Sequence, residues 1–312
     1  MADTRAVLCV GALHYDRITR CERPIRKYTS NPVQSQRTPG GVAHNIARNL
    51  RLLDRRVGLC SLIGTDGGGL IRHLSDCGID VGLIEQSDEM PSADYTAVLE
   101  PSGDLAFGLA DMAIYDHMDK CFLGRRLADM LNWPVWLIDA NLPESALRYL
   151  TSIKSDQVIC AAPVSVRKSE RWKGCMDGVD LWVGNEQEVG AMTGMVADTP
   201  TKVIAAAEAL YGMGPSVVVA SLGEQGAILK TELVSGHWSA AASEIINVNG
   251  AGDALYAGFL DAYLSGESPE SAIEQALAIA SLTVETSASV RRGFDREMVV
   301  SRRCEIKRVQ TP

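Results

Sequence analysis

No apolar run in this 312-residue sequence approaches the ~20 residues that a helix needs to span a bilayer, which argues against a membrane protein. No Cys-x-x-Cys pair occurs among the eight cysteines, at positions 9, 21, 60, 77, 121, 160, 175 and 304, and several of them lie inside apolar runs. They read as reduced core residues of a cytoplasmic protein rather than as a disulfide framework. Positive charge is in deficit, with 30 Lys and Arg against 39 Asp and Glu and a formal net charge of −9, so the chain offers no electrostatic footprint for nucleic acid. The basic groups Arg291, Arg292, Arg302, Arg303, Lys307 and Arg308 read as a solvated end. Internal repeats and low-complexity segments are absent, and the N-terminus passes from a short polar lead directly into a strand pattern, with nothing that reads as an export signal. What is present is ordinary for a globular chain: 46% hydrophobic and 22% charged residues, at a length near the upper size of one core.

Strand and helix patterns alternate along the chain. Ala6 to Val10 is a short apolar run closed by Gly11, the pattern of a buried first strand. Val57 to Ile63, Leu70 to Cys77 and Val81 to Ile84 continue as strand, helix and strand. The alternation resumes with a helix over Asp119 to Leu131, a strand at Val135 to Ile138, a helix over Glu144 to Ile153 and a strand at Gln157 to Ala161. Leu181 to Val183 and Val217 to Ser221 are further strands, separated by a helix striped by Val203, Ala206, Ala207 and Leu210. This order predicts an α/β fold, a mainly parallel sheet covered by helices on both faces. Ala227 to Lys230 and His237 to Ala241 read as antiparallel edge strands, and Ser268-Pro269-Glu270 opens a last long helix.

Two stretches break the alternation. Asp16 to Thr38 is polar, carries Pro24 and Pro32, and has β-compatible pieces at Asp16 to Cys21 and Val33 to Arg37; so long a structureless loop is unusual inside a compact domain. Ala93 to Leu99 and Leu105 to Ala110 flank Glu100-Pro-Ser-Gly-Asp104, a turn by composition, and read as a hairpin. Together these inserts, approximately 16–38 and 93–115, predict a small β-sheet lid on a single domain spanning 1–312. It would lie over the carboxyl edge of the main sheet, where α/β folds bind ligands.

Two glycine turns carry the chemistry. In Asn247-Val-Asn-Gly-Ala-Gly-Asp253, Gly250 and Gly252 free the backbone to converge N–H groups on an anion. The helix stripe Leu255, Phe259, Ala262 starts at this point, adding free amides and a positive dipole end. Taken alone, Asp253 reads first as a first-turn carboxylate that stabilises the helix by about 0.3–1 kcal/mol, because short glycine motifs are common. If the cradle holds a transferring phosphoryl group, the same carboxylate stands where it can take a proton from an attacking hydroxyl. The second turn, Pro39-Gly-Gly-Val-Ala-His-Asn45, opens a helix striped by Ala43, Ile46, Ala47, Leu50 and Leu53.

With Gly40-Gly41 and Asn45, Asn185 with Glu188, Ser221-Leu-Gly-Glu-Gln-Gly226 and Gly250-Ala-Gly-Asp253 all in order, the chain resembles, over essentially its whole length, the ribokinase-like sugar and nucleoside kinases, also called the PfkB family. The resemblance implies a three-layer α/β/α ribokinase-like fold, with ATP and magnesium as cofactors. By it, Asp253 is the catalytic base and the amides of Gly250, Ala251 and Gly252 form the anion hole. Asp16, Gly40, Gly41, Asn45 and Asn141 would bind the sugar. Asn185, Ser221, Gly223 and Gly226 would line the ATP site, with Glu188 holding magnesium through water. His14 matches a position that is often Asn in these kinases and stands either as a substrate contact or as a satisfied histidine. The family's usual Asp at the start of the motif is replaced here by Asn247-Val248-Asn249, which leaves activation by a monovalent cation open.

The segment Ser92 to Asp116, with Leu109-Ala-Asp-Met112 closest, is similar to that of the pseudouridine kinases within this family. That points to ATP-dependent phosphorylation of a nucleoside 5′-hydroxyl, with Asp111 either a base or sugar contact or a solvent-facing lid charge. Ribokinase or another nucleoside kinase is the alternative within the class. A catalytically dead sugar-binding regulator is the alternative outside it. A nicotinamide-dependent oxidoreductase is disfavoured, since neither turn reads Gly-x-Gly-x-x-Gly after the first strand. The exposed strand edges of the inserts predict a homodimer through the lid, the other partner being the small-molecule nucleoside or sugar.

Overall fold

The computed structural model describes residues 6–309. Its strands are β1 Val7–Val10, β2 His14–Cys21, β3 Val33–Gly40, β4 Val57–Ile63, β5 Asp80–Gln86, β6 Asp94–Leu99, β7 Leu105–Asp111, β8 Val135–Asp139, β9 Val158–Ala162, β10 Leu181–Asn185, β11 Val217–Ser221, β12 Ala227–Lys230, β13 Ser235–Trp238 and β14 Arg308–Val309. They form a main sheet in the order β14-β13-β12-β11-β10-β9-β8-β1-β4-β5 and a separate small sheet in the order β3-β2-β6-β7. From β5 across to β11 the main sheet is parallel; β12, β13 and β14 close one side antiparallel.

Burial on both faces explains why the central strands read as continuous apolar runs: all of β4 and all of β8 are buried. Successive side chains serve opposite layers. Val7 and Cys9 join one core with Ile46, Leu74, Phe259 and Ile273, whereas Leu8 and Val10 join the other with Phe122, Leu147 and Leu210. The result is the expected three-layer α/β/α arrangement. The helices Ala251–Leu264 and Pro269–Val284 pack closely because Gly258 has no side chain: a Cβ there would lie 3.0 Å from Ala276 Cα.

Three local expectations are corrected. The helix foreseen over Asp119 to Leu131 is broken into Lys120–Gly124 and Leu127–Met130. Gly124 is a poor helix former, and Arg126 turns back to donate to Phe122 O at 2.8 Å while stacking on the Phe122 ring. The strand read to Ala241 ends at Trp238. The basic C-terminal residues are not simply solvated. Residues Arg296–Arg303 form a helix; Arg303 donates to Glu267 at 2.9 Å and to Gln275 at 3.2 Å, and Arg302 to Glu285 at 2.9 Å. No residue of that helix is fully buried, so it lacks the apolar stripe by which a helix is read from sequence. Among the described residues no helix is long and apolar enough to cross a membrane.

Both inserts contribute to the small sheet. β2 pairs with β3 antiparallel and with β6 parallel, and β6 pairs with β7 antiparallel around the turn at 100–104. Ala113–His117 leaves this sheet as a 3₁₀ turn whose Ile114 and Tyr115 are buried in the main body. The main sheet changes direction of winding between β1 and β8, since β4 and β5 follow on one side and β9 to β11 on the other. A crevice at the carboxyl ends of the strands is expected there.

Candidate active site

Asp139 organises that crevice from below. It ends β8 with no exposed surface, and its Oδ2 accepts from the Ala12 and Ala43 amides at 2.9 and 3.1 Å, while Oδ1 accepts from the Asn141 amide at 2.9 Å. One carboxylate thus ties the end of β1, the first turn of the Val42–Leu52 helix and the loop after β8. Gly11 must be glycine for this contact, because a Cβ there would sit 2.3 Å from Asp139 Cγ. Gly41 is the N-cap at φ 107°, and its Cβ would meet Ala12 O at 2.5 Å.

Opposite stands the start of the Ala251–Leu264 helix, capped by Gly250 in a left-handed conformation at φ 83°. The Ala251 amide is engaged with Val248 O at 3.3 Å, and the Ala254 amide with Gly250 O at 2.9 Å. Among the described residues, the Gly252 and Asp253 amides have no backbone acceptor, as the first amides of a helix must lack one. A Cβ on Gly252 would meet nothing within 4 Å, so the space in front of these donors is open.

Asp253 lies half-buried at this mouth, with Oδ2 accepting from Asn45 Nδ2 at 2.8 Å. Burial pushes its carboxyl up to about 7, reinforced by the carboxylates of Asp139, Asp16 and Glu188 and opposed by the Asn45 hydrogen bond. Asn185 and Glu188 cap the Glu186–Thr193 helix reciprocally: Asn185 Oδ1 accepts from the Glu188 amide at 2.9 Å, and Glu188 Oε2 from the Asn185 amide at 2.9 Å. Burial also raises Glu188 to about 7. Asn185 and Ser221 are register partners at the ends of β10 and β11. Asn185, Glu188, Ser221, Gly252 and Asp253 line one cleft. It continues through Ser221, Gly252 and Leu255 into a wider, mainly apolar pocket that includes Gly223, Gly226, Val248 and Leu277.

The residues expected to bind sugar are held from behind. Asp16 lies in β2 against Gly40 of β3, where a Cβ would fall 2.0 Å from Asp16 Oδ2. His14 is buried and engaged at both ring nitrogens, with Tyr115 Oη at 3.1 Å and Asp16 Oδ1 at 3.3 Å. Asn141 is buried, its Oδ1 accepting from Lys168 Nζ at 2.5 Å, and burial lowers the affinity of that lysine for its proton. Asp111 ends β7 exposed and opposite Asp94 in the pairing of β6 and β7, and neither it nor His14, Asp16, Asn45 or Asn141 is among the residues lining the cleft at Asp253. Sequence reasoning missed Asp139, Tyr115 and Lys168. Asp139 carried a usable signal, since it follows directly on the Val135 to Ile138 strand at the edge where ligands bind; the other two carried none.

A carboxylate with near-neutral proton affinity, bordering the same cleft as free helix-start amides, can deprotonate an alcohol while the amides hold a transferring anion. Gly252→Ala is expected to fill part of that space without touching the fold. Turnover should fall about 10- to 100-fold, while the melting temperature stays within about 2 °C; steady-state kinetics beside a thermal melt measures both.

This equipment belongs to phosphoryl transfer onto small alcohols. The pfkB family of carbohydrate kinases matches residues 4–291, and the chain belongs to that family of sugar and nucleoside phosphotransferases. It is 26% identical to the pseudouridine kinase of Escherichia coli (strain K12) over 271 residues, covering 85% of this chain and 86% of the relative. The carbohydrate kinase of Agrobacterium tumefaciens superposes with a TM-score of 0.86 at 26% identity, covering 97% of this chain and 98% of that one. The ribokinase of Arabidopsis thaliana complexed with ribose and ATP superposes at 0.82 with 21% identity, covering 97% and 99%.

Proposed function

We propose that this chain transfers the γ-phosphoryl group of ATP to the 5′-hydroxyl of pseudouridine. The carrying observation is Asp253, held by Asn45 at the mouth of the open amide cradle. In this reading the nucleoside lies toward Asp16 and Asn141, and the nucleotide phosphates toward Asn185, Ser221, Gly223 and Gly226. The Asp253 carboxylate takes the hydroxyl proton as the oxygen attacks the γ-phosphorus; the bond to the bridging oxygen breaks, and ADP leaves. Of the amides expected to form the anion hole, that of Ala251 is engaged and that of Gly252 is free; the Gly252 amide, with that of Asp253 beside it, steadies the charge on the migrating group.

Magnesium fits the residues present. No group of three or more potential metal-ligating side chains occurs among the described residues. Glu188 is a single buried carboxylate beside the phosphate end of the cleft, which suits an ion held by phosphates, waters and one carboxylate. When bound there it would neutralise phosphate charge, and it would favour the ionised form of Glu188.

Similarity to a pseudouridine kinase over most of both chains supports the choice of nucleoside. Pseudouridine carries a ring N–H that uridine lacks at the glycosidic position, and leaving a buried acceptor unpaired costs about 1–3 kcal/mol. Monophosphate formation with pseudouridine, uridine, adenosine and ribose, each with Mg-ATP, tests this. Pseudouridine is expected to be preferred over uridine about 5- to 150-fold in kcat/KM. Equal turnover of uridine, or preference for ribose, overturns it; ATP consumption independent of added nucleoside would remove the kinase reading itself.

The small sheet also supports a dimer. Phe107 and Leu109 project from the same side of edge strand β7, Leu105 lies beyond a bulge in the same strand, and all three are about half exposed. Pairing two such edges would cover them. Light scattering at micromolar concentration is expected to give twice the chain mass, and Phe107→Lys to give the monomer.

A further inference from the structure

Asn45 is gripped at both ends of its amide. Nδ2 donates to Asp253 Oδ2 at 2.8 Å, and Oδ1 lies 3.0 Å from Nδ1 of His44. An amide oxygen only accepts, so this second contact requires a proton on His44 Nδ1. His44 is 2% exposed, and burial lowers its imidazole to about 3, so the ring is neutral and carries one proton. With that proton on Nδ1, Nε2 is a bare lone pair. Nε2 is buried without a hydrogen-bond partner among the described residues, so the contact to Asn45 is the one polar contact that bears on the tautomer.

The amide's two ends are nearly the same size, so Asn45 could turn over at little steric cost. Its NH2 would then donate to His44 Nδ1, and its oxygen would face Asp253. Two oxygens face each other comfortably only if Asp253 is protonated and donates its O–H. The tautomer of His44, the direction of the amide and the charge on the base are therefore linked.

We propose that His44 is a positioning residue for the catalytic base: by keeping its proton on Nδ1 it holds the NH2 of Asn45 toward Asp253 and so favours the ionised carboxylate. The inference rests on the reading of Asp253 as the base. The surrounding charges do not provide this hold. Asp253 is approached by the carboxylates of Asp16, Asp139 and Glu188, which all favour its protonated form. His44 is faced by His73, at 5.6 Å between ring centroids, and by Arg48 and His14. Arg48 is engaged with His73 Nε2 at 2.6 Å. Each of these three disfavours a second proton on His44 and keeps it neutral.

Nitrogen NMR of the full-length wild-type chain, with labelled histidine, reads the tautomer without any assay. His44 is expected to show a protonated Nδ1 and an unprotonated Nε2 at pH 8; the opposite tautomer overturns the proposal. Kinetics supplies the second arm. In His44→Phe, which cannot donate, the acid limb of kcat should move up by about one pH unit, so that kcat at pH 6 falls about tenfold relative to wild type. KM for ATP and for nucleoside should stay unchanged. His44→Gln, whose side-chain amide can still donate, should restore the wild-type limb. Coincident limbs in wild type and His44→Phe overturn the proposal. Absence of turnover with every nucleoside would instead count against the proposed function, leaving the tautomer measurement readable.

Discussion

Asp253→Asn should lose about 10²- to 10⁴-fold in kcat, the contribution of a positioned base, while ATP affinity stays near wild type. Asparagine keeps the shape and the contact to Asn45 but cannot take a proton from the acceptor hydroxyl. Stability should move the other way. The folded carboxyl binds its proton more tightly, at about 7, than an unfolded aspartate does. Both states are protonated at low pH; as pH rises from the unfolded value through about 7, the unfolded chain ionises first, so this group withdraws stability across that window. Without nucleotide or magnesium, the variant should therefore melt higher than wild type at pH 8 and match it near pH 3. Activity lost with stability gained separates a catalytic carboxylate from a helix-stabilising one. Wild-type kcat/KM should correspondingly fall as pH drops below about 7. Near-wild-type turnover in Asp253→Asn would end the assignment of the base.

Asp139→Ala is expected to cost about 3–5 kcal/mol of folding stability, because it strands three amide donors, those of Ala12, Ala43 and Asn141, in a site with no exposed surface. Asp139→Asn should cost less, about 1–2 kcal/mol, since one amide oxygen can still serve Ala12 and Ala43 while its NH2 opposes the Asn141 amide. Activity should fall in both, because the first turn of the helix that carries Asn45 is no longer pinned. Denaturant melts of the two variants measure the costs. Equal, small losses would show that water satisfies these amides and that Asp139 does not organise the crevice.

Much of the fold was legible from local pattern. β4, β8 and β11 are buried on both faces and therefore read as apolar runs, and the turn at Glu100 to Asp104 carries its own turn chemistry. The helix Arg296–Arg303 escaped notice because its hold on the body is made by arginines, whose partners Glu267, Gln275 and Glu285 lie far back in the chain. The candidate site divides in the same manner. Gly41 and Gly250 announce themselves, since a backbone at positive φ pressed against another strand or loop tolerates no Cβ. Tyr115 and Lys168 do not, because nothing near them in sequence hints that a hydroxyl will meet His14 or an ammonium Asn141.

By itself the sequence determined the strand and helix order, the two glycine-led helix starts and the identity of the carboxylate at one of them, because each depends on neighbours within a few residues. Only the tertiary structure decided that Asp253 meets Asn45, that Asp139 ties three segments together and that Asp253 and Glu188 hold their protons to near neutrality. Those properties arise from desolvation and from charges brought close by folding, and a linear order of residues carries neither.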